Sequence, residues 1–433
     1  MNIFDRINSP ILFVILLACG MIAAAPSANA QNTVIKAGHL FDSRTGQVRD
    51  NQVIIVKDGR ISQVGPNLKA GPADTVIDLS DSWVLPGLMD CHVHITSNYP
   101  YRKYAGIASI YATESTALRA LRGAAVAKQL LEGGFTTIKD IGNDANYATA
   151  DVIKAIRAGW TIGPTILYSG KIIAPYGGQT TSINPEHQGL WQMEYLDGDS
   201  PDEIRKAVRK NIYNGANTIK MVSDDHPAYF SQEDIKTAVD EAKKAGMKVT
   251  VHVMGGEAAR NVIMGGAAAI EHGFGLDDEM LKLMKEKGTF LVGTDFSSDN
   301  FYAYGGTPES SKANEAMVVD RLKRAYKIGI KMAFGTDIII DIEGMNRLQS
   351  NLKVLQTWKK AEIPASYILQ TMTIHASELL GTEKYLGILE PNFRADIIAL
   401  KADPTKDIDA VGNVTFVMKS GKVIKHTSQN HLR

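Results

Sequence analysis

Between about residues 87 and 386 the chain alternates short apolar runs with amphipathic helical stretches, and this rhythm limits the fold more than any other feature. The runs lie near residues 84–94, 136–140, 165–170, 218–222, 248–252, 269–272, 289–292 and 332–337. Helical patterns fill the intervals, as at 112–131, 202–213, 232–245 and 313–328. Eight predicted strands alternating with helices point to an α/β fold, a (β/α)8 TIM barrel. An open doubly wound sheet is the alternative, and the count of eight favours the barrel.

The flanks have a different character. Val53-Ile54-Ile55-Val56, the turn Asp58-Gly59 and Ile61-Ser62-Gln63-Val64 read as a hairpin. Asp396-Ile397-Ile398-Ala399-Leu400 and the runs around Ser420-Gly421 repeat the style. A small β-sandwich built from both chain ends is therefore expected, from residues 31–86 and 387–433, around a barrel at 87–386.

Residues 1–30 read as a secretory signal. Arg6 precedes an apolar stretch, and Ala28-Asn29-Ala30 is a small-x-small cleavage site. The apolar core is short for a span of about 20 residues. A secreted or periplasmic protein cut after Ala30 is expected, with lipidation at Cys19 as the minority alternative and no stable span after cleavage. Cys91 is then the one cysteine left, so the mature chain has no internal disulfide. Lys+Arg and Asp+Glu both number 47, and this balance argues against a general nucleic-acid binder.

Chemistry-bearing residues recur at the ends of the predicted strands. His92 and His94 stand two apart on a strand, so both imidazoles face one side. His252, His272 and Asp337 each end another run, and Lys220 sits inside one. A barrel gathers its strand C-termini on one face, where active sites are found. Three histidines and an aspartate suffice for one catalytic zinc with an open position. A buried lysine is costly unless paired or neutralised. Lys220 suits either a buried ion pair or a carbamate formed with carbon dioxide, and spacing does not choose between them. Cys91 points to the opposite face from His92 and His94 and reads as a small buried residue.

Together these motifs resemble the amidohydrolase superfamily. The resemblance rests on Leu85-Pro86-Gly87-Leu88-Met89-Asp90-Cys91-His92-Val93-His94, Ile219-Lys220-Met221, His252, Glu271-His272-Gly273, Gly335-Thr336-Asp337, and the return from Gly387 to Ile398. It is similar to the branch of imidazolonepropionase-like proteins, Xaa-Pro dipeptidases and ochratoxin-degrading amidohydrolases. Lys220 separates it from mononuclear imidazolonepropionase, which lacks the bridging lysine.

The resemblance implies two divalent metal ions, for which His-rich ligation suits zinc. His92, His94 and Asp337 would hold the more buried ion, and His252 and His272 the more exposed one. Lys220, as a CO2-derived carbamate, would bridge them. It implies hydroxide attack on an amide, with Asp337 as the proton shuttle and Asp140 and Glu271 as supports of the ligands. Tyr176, Gln179, Tyr229 and Asn346 are the candidate substrate contacts. Gln179 stands where relatives often carry histidine, and Asp341 lies beside Asn346 in a loop that lacks a relative's histidine. Tyr99, Tyr101 and Tyr104, with Phe301, Tyr302 and Tyr304, suit a pocket wall or a subunit contact, since related enzymes are often homo-oligomers.

The leading expectation is a metal-dependent hydrolase of dipeptides, N-acyl amino acids or ochratoxin-type arylamides. A lactonase or cyclic-amide hydrolase on this scaffold is the first alternative. A non-catalytic periplasmic metal- or solute-binding protein is the second.

Overall fold

A computed structural model describes residues 31–103, 107–142, 145–180, 183–224 and 228–427. The leader with Cys19, and Tyr104 of the aromatic loop, lie outside the described residues. No helix among the described residues is long and apolar enough to cross a membrane.

Both ends of the described chain share one seven-stranded sheet. Its order is Lys422–His426, Val414–Lys419, Ile397–Leu400, Thr75–Pro86, Thr33–Asp42, Gln47–Lys57 and Arg60–Gly65. The Asp-Gly hairpin is present between the last two. Asp58 (φ 49°) and Gly59 (φ 76°) both adopt the left-handed conformation that a two-residue hairpin turn demands.

The middle of the chain forms two parallel sheets. One orders Leu88–Val93, Phe135–Asp140 and Thr165–Tyr168. The other orders Phe290–Val292, Ala269–His272, Val249–Val253, Ile219–Val222, Ile172–Ala174 and Tyr195–Asp197. Hydrogen bonds join the sheets on both flanks. The Asn217 N–H donates to the Tyr168 carbonyl at 2.9 Å, and its side-chain oxygen accepts from the Tyr168 N–H at 2.8 Å. On the other flank the Cys91 N–H donates to Phe334 O (2.8 Å), and the Ala333 N–H donates to Leu291 O (3.0 Å).

Two details differ from the strand pattern expected of the sequence. The run at 332–337 joins its neighbour through a single parallel bridge, Leu291 to Met332, and is otherwise irregular. Its backbone leaves the extended region at Asp337 (φ 55°). Ile172–Ala174 and Tyr195–Asp197 are additional strands of three residues each, too short to show a period.

Helices begin where local chemistry caps them. Ser200 accepts from the Glu203 N–H ahead of Pro201–Tyr213. Ser231 and Asp234 form a reciprocal capping box at Gln232–Lys243, and Thr307 and Ser310 do so at Pro308–Ile328. The last helix ends at Gly329 in the left-handed conformation.

The strands Leu88–Val93, Phe135–Asp140, Ile219–Val222, Val249–Val253 and Ala269–His272 are buried at every position. Burial at every position is what a parallel sheet covered on both faces shows. Each large apolar side chain buried there contributes about 1.5–3 kcal/mol. Any ionisable group on these strands must therefore find a partner.

Gly335 shows how tightly the Asp337 segment docks. A Cβ there would lie 2.4 Å from Val292 Cγ1 and 2.9 Å from His92 Cβ. The variant Gly335→Ala is expected to lose about 1–3 kcal/mol through overpacking. Urea unfolding measures it, and a change below about 0.5 kcal/mol would contradict the close approach.

Candidate metal centre

His92 ends the strand Leu88–Val93 and His94 follows it, so both rings emerge on one side of the backbone. Asp337 arrives from the far end of the irregular segment, fixed by its N–H donating to His92 O at 2.8 Å. Its Oδ1 lies 3.4 Å from His92 Nε2 and 3.1 Å from His94 Nε2. The two Nε2 atoms are 3.3 Å apart. Among the described residues these three form a cluster whose ligand atoms all lie within 4.8 Å of one another.

The outer nitrogens decide what this cluster can hold. His94 Nδ1 faces the carbonyl of Gly142 at 2.8 Å, and His92 Nδ1 faces a Glu271 oxygen at 2.7 Å. Both partners accept only, so both Nδ1 atoms carry the proton. In the neutral rings, each Nε2 then presents a lone pair toward the other and toward the Asp337 carboxylate. Three acceptors with no donor among them fit a cation. Burial disfavours a charged His94 ring, but the hydrogen bond and charge of Asp337 outweigh burial and raise its pKa.

The other histidines stand beside this cluster. His272 is 5.0 Å from His92 and 4.3 Å from His252, measured between ring centroids. Its Nδ1 is 2.8 Å from Thr294 Oγ1 and 3.7 Å from Asp337 Oδ2. His252 Nε2 lies 3.4 Å from Asp224 Oδ1. Lys220 is buried, and its charge acts on His92, His272, Glu271 and Asp337. The structure thus brings His92, His94 and Asp337 into one cluster, with His272 and His252 in ring contact beside it and Lys220 buried within the strand Ile219–Val222.

Burial and the neighbouring charges set the protonation states. Burial lowers the His92 pKa to about 4, with the Lys220 charge adding to it against the pull of Asp337. Burial, then His252, His92 and Lys220, press His272 well below the ordinary histidine range. Neutral imidazole is the form that binds metal. Burial would raise the Asp337 carboxyl, but His92, His94 and Lys220 hold it below the usual carboxylate range.

Backbone strain is present here. His272 (φ 69°), Thr294 (φ 45°) and Asp337 (φ 55°) are non-glycine residues in the left-handed region. Such residues cost roughly 1–3 kcal/mol each and persist where surrounding contacts dictate them.

Sequence reasoning missed several supporting residues. Lys139 donates to Glu271 at 2.7 Å, and Thr250 donates to the same oxygen. Asp90 accepts from the His92 N–H (3.1 Å) and from the Thr336 hydroxyl (2.7 Å). Glu271, expected to support a ligand, does contact His92, and Asp140 accepts from the Ile95 N–H at 3.0 Å. Lys139 was accessible by the signal that singled out Lys220, a lysine inside an apolar strand.

The candidate substrate contacts behave differently. Gln179 accepts from the Tyr195 hydroxyl at 3.0 Å. Tyr176 stands edge-on to Trp191 and is half exposed, as is Tyr229. Asn346 is exposed and caps the helix Arg347–Leu352, accepting from the Gln349 N–H at 3.0 Å. That capping bond gives Asn346 a structural use. Asp341 pairs with Arg347 at 2.6 Å. Tyr99 is buried with Ile110, Ala303, Ile339 and Ile340, and Tyr101 and Tyr304 pack against that cluster. Arg102 lies 3.8 Å over the Tyr302 ring, so the two aromatic loops brace each other. Cys91 is buried and unbonded, as expected.

Comparison with known proteins places this geometry. The amidohydrolase family model matches residues 83–424. Ochratoxinase of Aspergillus niger is 30% identical over 443 aligned residues, covering 93% of this chain and 89% of that one. The crystal structure of a Xaa-Pro dipeptidase with bound methionine superimposes with a TM-score of 0.78 at 30% identity, over 91% of this chain and all of that one. Imidazolonepropionase of Kosmotoga olearia is 22% identical, over 88% of this chain and 92% of that one. The chain belongs to the amidohydrolase family, and with it to the hydrolases of carbon–nitrogen amide bonds.

Proposed function

We propose that this chain is a two-metal amidohydrolase that releases an amino acid from dipeptides, N-acyl amino acids or ochratoxin-type arylamides. One observation carries the reading: three acceptors, His92 Nε2, His94 Nε2 and Asp337 Oδ1, converge within 4.8 Å with both imidazole protons directed elsewhere. The similarity to ochratoxinase and to a Xaa-Pro dipeptidase supports the substrate class.

His92, His94 and Asp337 would hold one ion, His252 and His272 the other, and carbamylated Lys220 would join them. Zinc suits this imidazole-rich set. Two divalent ions acidify a water and polarise the scissile carbonyl. Asp337 accepts the attacking water's proton at Oδ2, on the His272 side, and delivers it to the departing nitrogen. Glu271 and Gly142 O hold the His92 and His94 rings in the tautomer that faces the site. Gln179, Tyr176 and Tyr229 would be the substrate contacts of this reading.

The scaffold reading follows from the same strands. The two parallel sheets would form the wall of a (β/α)8 barrel, a reading supported by the hydrogen bonds at Asn217 on one flank and at residues 332–334 on the other. The seven-stranded sheet of the two chain ends would supply the strands of the sandwich.

The test is hydrolysis by purified mature protein, followed by mass spectrometry, with added zinc and with chelator. The panel holds dipeptides, N-acyl amino acids, ochratoxin A and simple lactones. Chelator-sensitive release of free amino acid is expected. Lactone opening alone would move the assignment to ester chemistry, and a metal-loaded protein that turns over nothing on the panel would refute the substrate class.

A further inference from the structure

Glu271 divides its two oxygens between two tasks. Oε2 faces His92 Nδ1 at 2.7 Å. Oε1 receives Lys139 Nζ at 2.7 Å and the Thr250 hydroxyl. Lys139, Thr250 and Glu271 sit on three different strands, Phe135–Asp140, Val249–Val253 and Ala269–His272, and all are buried. Lys139 thus binds the Glu271 oxygen that does not face His92. It lines a cavity of about 80 Å³ with Thr218, Lys248, Val249, Thr250 and Ala268, which lie at the starts of the strands that end in the site.

A buried ion pair rarely adds stability over an apolar pair of the same volume. Stability alone is therefore a poor reason for Lys139 and Glu271 to lie inside the sheet. What an apolar pair would not do is hold an acceptor at one point beside His92. We infer that Lys139 is a positioning residue for the metal-facing nitrogen of His92, acting through Glu271. Lys139 and Thr250 fix the carboxylate from below, and the carboxylate fixes the His92 ring with its proton on Nδ1 and its Nε2 lone pair toward His94 and Asp337. This rests on the metal-site reading above.

The experiment measures metal affinity, separately from activity. Metal-free full-length mature protein is titrated with zinc and cobalt against a chromophoric chelator, for wild type, Lys139→Met, Lys139→Arg and Thr250→Val. Unfolding of each metal-free protein is recorded alongside. Loss of such an outer support weakens metal binding by roughly 10–100-fold. Lys139→Met is expected in that range, Thr250→Val at its lower end, and Lys139→Arg is expected to recover most of the loss. Lower stability of Lys139→Met with wild-type metal affinity would make Lys139 merely structural and overturn the inference. Should Lys139→Met fail to fold, wild-type affinity in Thr250→Val would overturn it instead. Wild-type protein that binds neither metal would sink the metal-site reading itself, a result distinct from the other two.

Discussion

Lys220→Ala should emerge with less than its full metal complement and with turnover reduced by at least about 10³-fold. The magnitude follows from the several kcal/mol that bound ions contribute to charge stabilisation, at 1.36 kcal/mol per tenfold. Lys220 is buried in the strand Ile219–Val222, and its charge bears on His92, His272, Glu271 and Asp337. Lys139 also touches Glu271, at the oxygen that does not face His92. Metal analysis by mass spectrometry, together with steady-state kinetics, checks the expectation. Circular dichroism guards against a folding defect. Wild-type turnover in Lys220→Ala would exclude the bridging carbamate.

The second large effect is expected at Asp337. Asp337→Asn preserves size and one acceptor oxygen but removes the group that takes and returns the proton. General acid–base catalysis contributes about 10²–10⁴-fold, so kcat should fall by that factor while the fold persists. The Asp337 N–H to His92 O bond does not involve the side chain and holds the segment in place. Acid stability supplies a further readout in the metal-free protein. The folded Asp337 carboxyl lies below its ordinary range, so it adds stability that is present above about pH 4 and lost as pH falls through the lower folded value. Asp337→Asn should lack that part of the acid-side loss. Turnover near wild type in Asp337→Asn would require another proton carrier.

Local signals in the sequence were reliable where the physics is local. Asp58-Gly59 marks its hairpin because few residues accept positive φ at both turn positions. The helical stretches at 202–213 and 232–245 were legible from their period, and in the structure Ser200 and Ser231 cap them because a side-chain oxygen must satisfy the first free N–H groups. His92 and His94 share a face because strand side chains alternate. Other features emerge only once the elements are in place. Asn346, a candidate substrate contact, engages its oxygen as the cap of Arg347–Leu352. Residues 332–337 looked like an ordinary strand, yet positive φ at Asp337 ends the extended path.

The sequence by itself determined that histidines stand at or beside the ends of parallel strands, because a two-residue period and a buried strand leave few ways to place His92, His94, His252 and His272. It also determined membership of the amidohydrolase family, through motifs that span most of the chain. Only the tertiary structure decided the tautomers of His92 and His94, since these depend on Glu271 and Gly142, acceptors 179 and 48 residues away. It alone decided that Lys139 and Thr250 brace Glu271, since strand register sets which side chains meet across neighbouring strands, and no local pattern encodes that register.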